Sequence, residues 1–283
     1  FTHQCSGACC RTRQMTLAGP HIDLNDQFAG PTATTPERTN SLRHFDDGNL
    51  HRSWCVRLRS LIPTGGPLLL AVNSLPSLPD QAERLIALGV ANIANIGADE
   101  LRAAAQVDMP GALLVIHPDR APASTLAPLL RHGEKPGFVV TDMNDVDEFL
   151  PIPEAPIPST NLYLLSGIER GDELANWSPD EALPALTAAS RTPLTLTEGI
   201  HWLLQAPTAL ERNHCFMTIG SRRRNAKGAF ESRTPAIWIS NGTGRDGKER
   251  RGAPKVGWCW AGNRHTWLGF ASASGRQACA DER

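Results

Sequence analysis

Lys255-Val256-Gly257-Trp258-Cys259-Trp260-Ala261-Gly262-Asn263-Arg264-His265-Thr266-Trp267-Leu268-Gly269-Phe270 is the stretch on which the fold turns. Alternation with a period of two on both sides of Gly262-Asn263 predicts two strands, 255–260 and 266–270, joined by a tight turn over 261–265. Within Trp258-Cys259-Trp260 the two indoles then share one face of the sheet and Cys259 takes the other. The same period recurs in Cys215-Phe216-Met217-Thr218-Ile219 and Ala236-Ile237-Trp238-Ile239-Ser240. The segment from Asn213 to Arg276 therefore reads as an antiparallel sheet. Five of the seven tryptophans lie between Trp202 and Trp267, so this tryptophan-rich sheet is where a site is expected.

Upstream the pattern turns helical. Pro79 suits a first turn and Gly89 a stop, with Ala82, Leu85, Ile86 and Leu88 between them. Further helices are predicted over 99–107, 122–132 and 142–150, with strands over 111–117, 138–141 and 161–167. Four prolines over 151–158 demand an extended linker or strap. Ser178-Pro179-Asp180-Glu181 and Thr195-Leu196-Thr197-Glu198 each place a hydroxyl three residues before a glutamate, the capping-box signature of a helix start. The fold class expected is α+β. An acidic helix-rich part over 75–150 is followed by a helix pair and sheet over 151–283, in one domain or two. Residues 1–74 show no periodicity and are rich in Gly, Pro, Thr, Asn and Arg. They read as a disordered extension or as non-native coding sequence. Cys5, Cys9 and Cys10 within them fit no ordinary zinc spacing.

Net charge is only −1, but it is unevenly spread. Residues 76–213 carry 8 Lys and Arg against 19 Asp and Glu, whereas 214–283 carry 13 against 5. Either the two segments attract each other, or the basic end is an anion-binding surface. No stretch approaches the roughly 20 apolar residues of a membrane helix. Seven irregularly spaced cysteines argue for reduced thiols in a cytoplasmic protein.

Several segments together resemble a known family. They are Gly167-Ile168-Glu169-Arg170-Gly171-Asp172-Glu173, Asn176 to Pro184, Arg191-Thr192-Pro193-Leu194-Thr195, Glu198-Gly199-Ile200, Asn213, Cys215-Phe216, Gly220-Ser221-Arg222, Pro235 to Ser240 and Gly257 to Gly269. The resemblance is to an uncharacterised actinobacterial domain of unknown function. It extends over roughly 75–276, implies an actinobacterial source and a single family-wide unit, and implies no activity. The two basic hairpin loops are longer than the family's, and residues 1–74 have no counterpart in it.

Chemistry-bearing residues converge on the last sheet. A histidine beside a cysteine can lower its pKa and make a nucleophile, so Cys259 and His265 are the candidate catalytic pair. Cys215, Cys259 and His265, with His214, are also soft ligands of a kind that suits zinc, although no cofactor is required by any motif. Arg222 as an anion clamp, Trp238 and Trp267 as walls and Asn263 as an orienting amide complete the candidate ligand-binding set. The plain alternative makes Cys215 and Cys259 small core residues and has His265 satisfy a turn carbonyl. A different class of function is weak nucleic-acid or anion binding through Arg222, Arg223, Arg224, Lys227, Arg250 and Arg251 in the basic hairpin loops. Against it, Gly244 to Glu249 is mixed in sign and the whole chain is near neutral. No P-loop, dinucleotide fingerprint, zinc-protease helix or nucleophile elbow is present. A small-ligand or structural role is the reading favoured, with enzymatic activity left open.

Overall fold

The computed structural model of the chain describes residues 75–279, so the expectations for residues 1–74 lie outside the described residues. Helices α1 (Leu78–Ala87), α2 (Val90–Ala94) and α3 (Ala98–Ala104) precede strand β1 (Leu113–Ile116) and the short helix α4 (Ala123–Leu126). Strands β2 (Arg131–His132), β3 (Lys135–Pro136), β4 (Phe138–Val139), β5 (Leu150–Pro151) and β6 (Leu162–Ser166) follow. Next come helix α5 (Pro179–Ala188), strand β7 (Thr192–Pro193) and helix α6 (Leu196–Gln205). Strands β8 (Cys215–Met217), β9 (Ser221–Arg222), β10 (Arg233–Ile239), β11 (Pro254–Trp260), β12 (Leu268–Phe270), β13 (Ser272–Ala273) and β14 (Gly275–Ala278) complete an α+β fold.

Helix α6 is the centre of it. Thr195 accepts from the Glu198 amide and the Glu198 carboxylate accepts from the Thr195 amide, so the capping box read from sequence is made. Such caps contribute about 1 kcal/mol each. All ten residues of α6 are buried, which a surface helix would not permit. One side meets the sheet β12-β8-β10-β11-β4 and the other the sheet β1-β6-β14. Gly199 allows the first approach: a Cβ there would lie 2.6 Å from Thr218 Cγ2 and 3.2 Å from the Phe216 ring. On the second side His201 Nε2 accepts the Ile116 amide of β1 while Nδ1–H donates to Thr197 O, which selects the tautomer. Helix α5 carries a second capping box, from Ser178 and Glu181.

The four strands expected after Asn213 are present, but their order is not that of a meander. β10 pairs antiparallel with β8 and β11, while β12 joins β8 and β4 joins β11 in parallel. β11 and β12 are thus separated by two strands, and residues 261–267 form a crossover between them, not a hairpin turn. Lys255-to-Phe270 alternation determines which side each residue faces, whereas partner choice depends on strands far away in sequence.

Two expected helices shrink. The one over 122–132 keeps Ala123–Leu126 and one tight turn over Ala127–Leu129, because Leu130 turns extended and Arg131–His132 pairs with Lys135–Pro136 in a hairpin. The one over 142–150 keeps a single turn, Val146–Glu148. Its acids are drawn to distant partners instead: Asp145 to Arg233 and Asp147 to Ser124. The proline strap runs extended, with β5 paired to β9 and the Ile152 amide donating to Gly220 O.

The charge asymmetry resolves into contacts. Arg223 binds Glu148, Arg233 binds Asp145, Arg245 binds Asp142, Arg264 binds Glu181 and Arg276 binds Glu198. These ion pairs join the acidic middle to the basic end.

Candidate functional site

The crossover brings the candidate pair together. Cys259 sits on β11 opposite Thr234, on the sheet face away from Ile237, Val256 and α6. The segment after Trp260 makes a turn, with the Asn263 amide donating to Trp260 O, and then lays His265 back over this face. Cys259 Sγ and His265 Nε2 are 2.8 Å apart. Two backbone bonds pin the crossover from outside: Asn176 N–H donates to His265 O and Asp180 N–H to Ala261 O. The contact expected of two strands flanking a turn is thereby made by different means.

Burial decides the chemistry of this pair. Cys259 is 2% and His265 6% exposed. Burial pushes the Cys259 thiol up to about 11, against the weaker pull of the Trp260 backbone and the Asn263 side chain. The thiol is placed to share its proton with the imidazole. Trp267 flanks the imidazole at a ring separation of 5.5 Å, and Asn263 and Trp267 are half-buried.

The other candidates disperse. Cys215 lies in register with Leu268 of β12, at the end of the sheet where Trp238 of β10 sits, four residues or about 13 Å along the strands from the Thr234 level that Cys259 occupies. Its thiol is likewise pushed up to about 11 by burial and donates toward Glu211 O. His214 joins Asp172 and Arg170 on the surface instead. Among the described residues no three Cys, His, Asp or Glu side chains are grouped to hold a metal ion. Trp238 is buried against Gly257, where a Cβ would lie 2.6 Å from the ring. Lys255 Nζ lies 4.8 Å from that indole and pairs with Asp246 at 2.8 Å, so Trp238 walls a buried ion pair. Trp258 and Trp260 pack edge to face at 4.7 Å on the opposite side of β11, half-buried, with Arg233 against Trp258.

Arg222 lies elsewhere, at the end of β9 where the arm to β10 begins. It donates to Glu231 O at 2.5 Å and faces the Phe230 ring. Sequence reasoning missed its neighbours Phe230 and Leu150, which are exposed. The signal available was alternation at Arg222 and Arg224, overlooked because a run of three arginines reads as undifferentiated charge. No helix among the described residues is long and apolar enough to cross a membrane.

No curated protein and no solved structure matches the chain. A family of unknown function, DUF5701, matches it over residues 84–279, from α1 to the end of β14, and the chain belongs to that family.

Proposed function

We propose that this unit is a non-catalytic small-ligand-binding module whose contact surface is the crossover 261–267. One observation carries the reading. The thiol–imidazole hydrogen bond is buried beneath the loop, while Asn263, Arg264, Thr266 and Trp267 of the same loop stay accessible. Cys259 and His265 then set the loop's shape, and the amide of Asn263 and the indole of Trp267 supply polar and stacking contacts to a ligand. Arg222 and Trp238 fall outside this surface. The reading places the chain in the cytoplasm of an actinobacterium, in keeping with the free, buried thiols of Cys215 and Cys259. The pairing of arginines with internal carboxylates weighs against a nucleic-acid partner.

The 2.8 Å contact favours a second reading, thiol chemistry entered when the crossover opens, with His265 as the base. Metal analysis and thiol titration of chain purified without chelator or tag separate the possibilities. A metal-free protein whose Cys259 stays unreactive until unfolding supports the binding module. A Cys259 that reacts faster than an ordinary free thiol, or about one equivalent of zinc released on its replacement by Ser, overturns it.

A further inference from the structure

The arm between β9 and β10 divides its charges by face. It closes on itself through Asn225 N–H to Ala229 O, Glu231 N–H to Arg223 O and the bridge between Arg224 and Phe230. On one face Arg223 is saturated, by Glu148 at 2.7 Å, Glu231 at 2.5 Å and Asp145 at 3.3 Å. Arg222 and Arg224 point the other way by strand alternation. Leu150, the ladder partner of Arg222, and Phe230, the bridge partner of Arg224, share that second face.

This second face holds two guanidiniums without a carboxylate. Among the described residues neither Arg222 nor Arg224 has an ion pair, although each of the neighbouring Arg223 and Arg233 has at least two. Their Cζ atoms lie 5.4 and 4.1 Å from the Phe230 centroid, so one ring orients both. Arg224 spends one nitrogen on Gly228 O and Arg222 one on Glu231 O. Arg222 Nε is buried and has no hydrogen-bond partner among the described residues. Burial lowers the Arg222 pKa, the field of Asp180 only partly opposing it, so its charge lacks a close counterion. Leu150 and Phe230 flank the pair and are 58% and 37% exposed.

We propose that the face formed by Leu150, Arg222, Arg224 and Phe230 binds a phosphate monoester carrying an apolar group. Two guanidinium forks match the charge and the oxygens of a compact dianion. The apolar group of the ester covers Leu150, which is 58% exposed. The site is separate from the crossover and stands or falls apart from the reading of Cys259 and His265.

Calorimetric titration of the full chain with phenyl phosphate tests it, beside inorganic phosphate and a short single-stranded oligonucleotide. Phenyl phosphate is expected to bind, and inorganic phosphate to bind more weakly for want of the Leu150 contact. Arg224→Gln, at an exposed position, is expected to weaken phenyl phosphate by at least about tenfold with no change in melting temperature. Arg222→Lys keeps the charge but loses the fork and is also expected to weaken it, whereas Arg84→Gln on α1 leaves it unchanged. Absence of phenyl phosphate binding, or equal binding by Arg224→Gln, overturns the proposal. So does an oligonucleotide that binds through Arg224 while phenyl phosphate does not, which would assign the arm to nucleic acid.

Discussion

Arg276 of β14 meets Glu198 of α6 with its Nε 2.6 Å from Oε1, and both side chains are almost fully buried. Tyr163 Oη–H donates to the same carboxylate at 3.0 Å and the Thr195 amide at 2.7 Å. One glutamate therefore caps the central helix and holds the last strand, joining a local signal to a contact 78 residues away. Burial and the neighbouring Glu198 charge raise the Tyr163 pKa well above the ordinary phenol value, so Tyr163 stays protonated as the donor.

Removing Arg276 leaves the Glu198 carboxylate buried without a counterion. Arg276→Met is expected to cost about 3–5 kcal/mol, the range for breaking one partner of a buried pair. Combining it with Glu198→Gln should cost less than the sum of the two single changes. Urea denaturation of the four proteins checks this, and strict additivity would show that the contact is energetically idle.

His201 makes stability depend on pH. Burial holds its pKa at about 4, below the ordinary 6.5, with the Thr197 carbonyl and Glu198 only partly opposing. Between these values the unfolded chain binds the proton and the folded chain does not. Its contribution is complete above pH 6.5 and is lost as pH falls toward 4, to a total of about 3 kcal/mol. Denaturation midpoints across this window should fall more steeply in the wild type than in His201→Gln. Identical slopes would assign the acid sensitivity to other groups.

Cys259 reactivity distinguishes a latch from an activated nucleophile. As a latch, His265 holds the crossover down, so His265→Ala should speed alkylation of Cys259 at neutral pH by about tenfold or more through easier opening. As a general base, the same imidazole would be needed for reaction, and His265→Ala would slow it. Mass mapping of Cys259 after timed iodoacetamide exposure reads the direction. Cys259→Ser should keep the fold and lower the melting temperature, because a shorter polar group replaces a packed thiol.

Asp246 anchors the hairpin between β10 and β11. It accepts from Ser240 Oγ–H and Lys255 Nζ–H, each at 2.8 Å, and is buried. Asp246→Asn should leave the Lys255 ammonium against Trp238 without its countercharge, a loss of about 3–5 kcal/mol. At about 2–4 °C per kcal/mol for a unit of this size, the melting temperature should fall by roughly 6–20 °C. A fall of only a degree or two would mean that Lys255 escapes to solvent.

The local half of this structure was readable residue by residue. Ser178 and Thr195 announced their helices because a cap is made within four residues, and Pro79 with Gly89 bounded α1 for the same reason. Alternation at 215–219, 236–240 and 255–260 identified strands and correctly opposed Cys259 to Trp258 and Trp260, since side-chain parity depends on the strand alone. The family resemblance was carried by the same segments. The helix expected at 142–150 shrank where Asp145 and Asp147 found partners in distant segments, and the one at 122–132 where Arg131–His132 paired with Lys135–Pro136.

Strand order, burial and pairing belonged to the tertiary structure. Gly262-Asn263 has the composition of a hairpin turn, yet the segment crosses two strands because β12 pairs with β8, a choice made by long-range fit. The conjunction of Cys259 with His265, the separation of Cys215 and the burial of Trp238 follow from that order. Arg222 and Arg224 became distinct from Arg223 only when the arm acquired two faces. Sequence determines what each residue can do within a turn or a strand. Which residues meet, and which charges lose water, is decided by the packing of two sheets around α6, because desolvation and contact are properties of the assembled core.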